Sequence, residues 1–329
     1  MIIIIITLFT EFEMKNNNLT KAISGLVFLA FLTTACATPT SVAQPTIADD
    51  DRIQVTVSIL PQKYFVERVG GQDVAVNVMV GPGESPHSYE PKPEQMRALS
   101  ESALYFLIGV EFEGAWMERI ASANPDMRMV DLSAGIDKLP MAAHGHANDE
   151  EHKAEGDEHE EDENGLDPHV WTSPELVKGM AAVIARELAE LNPQRADYYD
   201  ANLDEFISDI ERLQADIRAS LNPLESRKFM VFHPSWGYFA RDFGLEQVAI
   251  EVGGTEPSAS QLAALLDEAR EEGIQVVFAQ PEFSTRSADT IAREIGGTVI
   301  LISPLAEDWL DNLARVAGAL ADNLQSDYK

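Results

Sequence analysis

Eight short β-prone runs, each followed by a helical pattern, divide this 329-residue chain into two matching halves around a long helical stretch. In the first half the predicted strands are IQVTVSIL (53–60), VAVNVMV (74–80), ALYFLIG (103–109) and MRMVDLS (127–133). In the second they are KFMVF (228–232), LEQVAIE (245–251), IQVVFAQ (274–280) and TVILIS (298–303). Strands alternating with helices imply parallel sheet covered by helices. No residue-level repeat accompanies the symmetry, which is one of pattern.

Between the halves, residues 173–221 read as helix with one interruption at Asn192-Pro193. Ser173 is a natural N-cap, followed by Pro174 at the first helical position and Glu175 in the first turn. Phe206, Ile210, Leu213 and Ile217 recur at spacings of three and four, which makes one apolar helix face. The expected fold is therefore α/β. Each of two lobes holds a mostly parallel four-stranded sheet, a long rigid helix joins them, and a cleft lies between. The predicted boundaries are 52–172 for the N-terminal lobe, 173–222 for the linking helix and 223–329 for the C-terminal lobe.

The N-terminus reads as an address. MKNNNLTK from Met14 is a positive n-region, AISGLVFLAFL an apolar core, and TTAC ends at Cys36, the lone cysteine. Ala35-Cys36 matches a bacterial lipobox, although Thr33 stands where Leu is usual. Residues 1–36 are accordingly expected to be a lipoprotein signal starting at Met14, with Cys36 the lipidation site and 37–51 a flexible tether; the alternative is a plain signal peptide with an incidental cysteine. The expected location is the periplasm or outer cell surface, anchored through lipid. One thiol can form neither an intrachain disulfide nor a cysteine-rich zinc site, so any bound metal must take His, Asp or Glu. A net charge of −31 opposes nucleic-acid binding and attracts cations. Residues 142–166 concentrate that charge with four histidines and no hydrophobic period, an acidic His-rich loop able to hold divalent ions weakly.

The three remaining histidines stand elsewhere. His87 lies in GPGESPHSYEP, His169 in DPHVW and His233 in VFHPSWGYF, each after a predicted strand and each beside a proline. The carboxyl edge of an open α/β sheet is where ligands bind. Two belong to the first lobe and one to the second, so all three can meet in the cleft. Neutral imidazole suits tetrahedral Zn²⁺, with Zn–N near ~2.0–2.1 Å.

PHSYEP, DPHVW and FHPSWGYF resemble the three metal-ligand motifs of the zinc/manganese family of ABC-transporter solute-binding lipoproteins. EVGGTEPSAS, FAQPEFS and the acidic His-rich loop agree, and the resemblance covers roughly residues 52–325. It implies a metal site in the interlobe cleft with His87, His169 and His233 as ligands. It also implies Zn²⁺ as transported ligand in preference to Mn²⁺, a membrane permease as partner, and a monomer. One departure is Ser303, in ISPL, where many members supply an aspartate. The fourth metal position then falls to water or to a nearby carboxylate such as Glu282. The alternatives are a manganese receptor, a metal-buffering or adhesive surface lipoprotein, and a zinc hydrolase. The last has no HExxH motif and no obvious general base in its favour.

Overall fold

The computed structural model describes residues 51–141, 165–251, 257–283 and 285–324, all within one compact unit. Cys36, the signal and most of the tether lie outside the described residues, as does the acidic tract except at its C-terminal end.

In the N-terminal lobe, β1 (Ile53–Ile59) leads into α1 (Leu60–Gly70) and β2 (Val74–Val80). Then come α2 (Pro93–Ser100), β3 (Leu104–Leu107), α3 (Glu111–Ala123) and β4 (Arg128–Asp131). In the C-terminal lobe, β5 (Lys228–Val231), α6 (Gly237–Phe243), β6 (Glu246–Ala249) and α7 (Ala259–Glu271) follow one another. They are completed by β7 (Val276–Ala279), α8 (Arg286–Glu294), β8 (Thr298–Leu301) and α9 (Trp309–Leu324). Every strand pairing is parallel. The sheet orders are β2-β1-β3-β4 and β6-β5-β7-β8, the same order in both lobes. Each sheet therefore reverses direction of growth at its first strand, and a crevice opens beyond the carboxyl ends there.

Buried polar groups close the strand ends. Gln62, on α1, accepts from the N–H of Ser58 (3.0 Å) and Ile59 (3.2 Å) and donates to the carbonyls of Phe106 and Leu107. It thus joins the ends of β1 and β3 where regular pairing stops. Glu113, on α3, accepts from the N–H of Ile108 (3.0 Å) and Gly109 (2.8 Å), directly after β3. Burial pushes its carboxyl up to about 7, although those donors pull the other way.

The helical stretch is two helices, α4 (Pro174–Leu191) and α5 (Ala196–Leu221), separated by a 3₁₀ turn at Pro193–Arg195. The break falls at the Asn192-Pro193 interruption, since proline supplies no N–H for a continuing helix. On α5 the face of Phe206, Ile210, Leu213 and Ile217 is buried. Phe206 lies 6.1 Å from Phe65 of α1 and 6.2 Å from Trp309 of α9, ring to ring, and Phe65 meets Trp309 edge-on at 5.1 Å. Helices of both lobes and the connecting helix thus share one aromatic junction. A single hydrophobic cluster runs through it, from Val57 and Phe106 to Phe239 and Leu320. A smaller one, with Met230, Ile250 and Val277, belongs to the second lobe alone. Two indoles stitch the lobes further. Trp171 Nε1 donates to the Pro304 carbonyl and Trp309 Nε1 to the Trp171 carbonyl, both at 2.8 Å.

Candidate metal centre

His87 sits in the loop between β2 and α2. Glu84 braces that loop by accepting from Gly81 N–H (2.8 Å) and pairing with Lys92 (2.6 Å). His169 immediately precedes the 3₁₀ turn Val170–Thr172 that leads to α4. His233 lies just past β5. The structure brings these three together. Their donor nitrogens all lie within 4.8 Å of one another, and the His233 ring is 4.8 Å from that of His87 and 5.2 Å from that of His169. Three nitrogens around a tetrahedral ion at about 2.05 Å would stand about 3.3 Å apart, so an adjustment on the order of 1 Å closes the set.

Each imidazole is held by one carboxylate through Nδ1. His87 pairs with Glu111 at 2.8 Å, His169 with Asp167 at 2.7 Å, and His233 with Glu251 at 2.7 Å. A carboxylate only accepts, so Nδ1 carries the proton and Nε2 keeps its lone pair. This is the arrangement that orients a metal-binding histidine and raises its basicity. His233 Nε2 is buried without a hydrogen-bond partner. A buried acceptor left bare is costly, and a cation would satisfy it.

Asp167 is itself tightly placed. Its Oδ1 also accepts from His169 N–H (2.9 Å), and its carbonyl accepts from the Tyr238 hydroxyl (2.7 Å). A side chain at Gly237 would come within 2.9 Å of Asp167 Oδ2, so only glycine lets the start of α6 approach so closely.

The electrostatics differ around the ring. Burial pulls the His87 imidazole down, but the hydrogen bond and charge of Glu111, aided by Glu251, outweigh it and leave His87 above its ordinary value. Glu111 is pushed up by burial and more strongly pulled down by His87, ending below the usual carboxylate range. His233 falls below its ordinary value, because burial and the two neighbouring histidines overcome Glu251. His87 is the exposed member, whereas His169 and His233 are 5 % and 6 % exposed.

A cavity of about 10 Å³ lies among these groups, walled by His87, Glu111, His169, Gln280, Phe283 and Leu305. That is room for about one water-sized sphere. Phe283 roofs it, with its ring 5.4 Å from His233 and 5.9 Å from His87. Sequence reasoning found the three histidines and did not find Glu111, Glu251 or Phe283. Asp167 stands in DPHVW and Glu251 in EVGGTEPSAS, but nothing in a linear sequence pairs Glu251 with a histidine 18 positions before it. Ser303 and Glu282 do meet. The Ser303 hydroxyl donates to Glu282 Oε1.

Residues 55–323 match the family described as ZnuA, zinc-uptake complex component A, periplasmic. The chain is 28% identical over 294 residues to the high-affinity zinc uptake system protein ZnuA of Bacillus subtilis (strain 168), covering 87% of this chain and 89% of that one. It is 26% identical over 263 residues to the zinc-binding protein AdcA of Streptococcus pyogenes serotype M3, covering 78% of this chain and spanning only 51% of that protein. Among solved structures, a ZnuA deletion mutant with zinc bound superposes with a TM-score of 0.76 at 45% identity, over 84% of this chain and all of the other.

Proposed function

The chain belongs to the family of periplasmic zinc-uptake components, zinc-binding solute-binding proteins of ABC uptake systems rather than enzymes, and from that premise we propose that His87, His169 and His233 are its zinc ligands. The observation that carries the assignment is the convergence of three imidazoles, each with a carboxylate on Nδ1. Three neutral imidazole nitrogens favour zinc over manganese, which prefers oxygen. The cargo passes from this cleft to the transporter's membrane permease. Lipidation at Cys36, at the end of the signal-like segment, holds the receptor at the membrane.

Alanine at any of the three histidines should weaken zinc binding tenfold or more by calorimetry. In a strain lacking the gene, the same variants should fail to restore zinc uptake from zinc-poor medium. A Cys36→Ser form should bind zinc normally yet be released from membranes. Wild-type affinity in one histidine variant would remove that residue from the site. Uptake unchanged by deleting the gene, with no redundant receptor present, would remove the transport role.

A further inference from the structure

Two buried side-chain acceptors close to Phe283, one in space and one in sequence, have no hydrogen-bond partner. They are His233 Nε2 and Glu282 Oε2. The ring is Phe283, next in sequence to Glu282 and 5.4 Å from the His233 ring. Both atoms are acceptors, so neither can satisfy the other, and a cation would satisfy both.

We propose that Glu282 supplies the fourth donor to the zinc ion, completing a three-histidine, one-carboxylate site. Glu282 is prepared as His233 is: one polar atom is fixed and the other left free. Ser303 donates its hydroxyl to Oε1, and Oε2 is bare. Ser303 is fixed in turn, since its oxygen accepts from Leu305 N–H (3.0 Å) and its carbonyl accepts from Asn312 Nδ2 (2.7 Å). A serine oxygen is a weak zinc ligand but a good hydrogen-bond donor to a carboxylate. Ser303 therefore orients the acid and does not replace it.

Topology supports the placement. Glu111 follows β3, the third strand of the first sheet, and Glu282 follows β7, the third strand of the second. The two sheets have one strand order, so both acids stand in equivalent segments at the carboxyl edge. Gln280 and Phe283, on either side of Glu282, already line the cavity with His87 and His169. Glu282 lies outside the 4.8 Å cluster of the histidine nitrogens. A shift of the segment after β7 must therefore accompany loading.

The proposal rests on the three-histidine reading, and the test separates them. Zinc affinity and the visible spectrum of the Co²⁺-loaded protein are measured for the wild type, Glu282→Gln, Ser303→Ala and His233→Ala. A His₃–water centre ionises its bound water near about pH 7, whereas a site closed by carboxylate has no such water. The wild-type Co²⁺ spectrum should therefore stay constant from about pH 7 to about pH 9, and that of Glu282→Gln should change through that ionisation. Glu282→Gln should also bind zinc at least about tenfold more weakly. Ser303→Ala keeps the carboxylate, so it should lose less affinity and keep the constant spectrum. A pH-sensitive wild-type spectrum, or a Glu282→Gln protein equal to wild type in spectrum and affinity, overturns the proposal. If His233→Ala binds zinc as the wild type does, the parent reading fails instead.

Discussion

At the scale of single residues, the centre is governed by which nitrogen of each imidazole is spoken for. Glu111, Asp167 and Glu251 fix the tautomers, so replacing any of them by its amide lets the ring donate or turn. Glu111→Gln, Asp167→Asn or Glu251→Gln should each weaken zinc roughly 10–100-fold, measured by competition with a chromophoric chelator. Protons compete with zinc for these nitrogens. His87 binds its proton above the ordinary histidine range, so acidification should expel zinc first through His87, while His233, shifted down, stays neutral to lower pH. Glu111→Gln removes the charge that holds His87 up. Its affinity, though lower, should therefore begin to fall at a more acidic pH than the wild type's. An acid limb unmoved by Glu111→Gln would show that His87 does not set it. The histidines were legible because each stands beside a proline, and His87 and His233 also follow strands, whereas His169 opens the turn before α4. Their partners were not, because Asp and Glu are abundant in this chain, and only the fold selects three of them.

At the scale of elements, local chemistry wrote most of the structure. β2 spans Val74–Val80 as its apolar run implies, while β3 and β4 are shorter than their runs. The extra residues became strand-end turns: Ile108 and Gly109 give their N–H groups to Glu113, and Ser133 N–H gives its own to Asp131 (2.7 Å). Hydrophobic pattern marks burial, and it cannot tell a paired residue from a buried unpaired one beside it. Ser173 shows a cap with two duties. Its oxygen accepts from Leu176 N–H (3.1 Å) to start α4, and its hydroxyl donates to Asp242 near the end of α6. Ser173→Ala should cost about 1–2 kcal/mol in urea unfolding, the upper end reflecting the acid left without its donor. A loss well under that range would mean that water replaces the hydroxyl at both ends.

At the scale of the molecule, two sheets do not make two independent halves. The aromatic junction of Phe65, Phe206 and Trp309 and the crossed Trp171 and Trp309 hydrogen bonds place the larger core across both lobes. Thermal unfolding followed by tryptophan fluorescence and by far-ultraviolet dichroism should give one coincident transition. Zinc at a thousandfold excess over its dissociation constant should stabilise that transition by about 4 kcal/mol. Two separate transitions would contradict a shared core. This coupling was only half visible beforehand: the periodic face of α5 announced burial, but not that both lobes would supply the residues covering it. The stem beneath the acidic tract carries a different consequence. Met141 N–H donates to the Gly165 carbonyl and Asp167 N–H to the Leu139 carbonyl, both at 2.8 Å, so the chain leaves and rejoins the fold at one doorway. A closed doorway fixes where an insert is attached and is indifferent to how long it is, since loop-closure entropy grows only slowly with length. It is therefore a natural splice point for a reporter domain whose own ends lie close together. Asp167, the last residue of that doorway, grips His169, so a fluorophore seated there would be wired to the occupancy of the cleft.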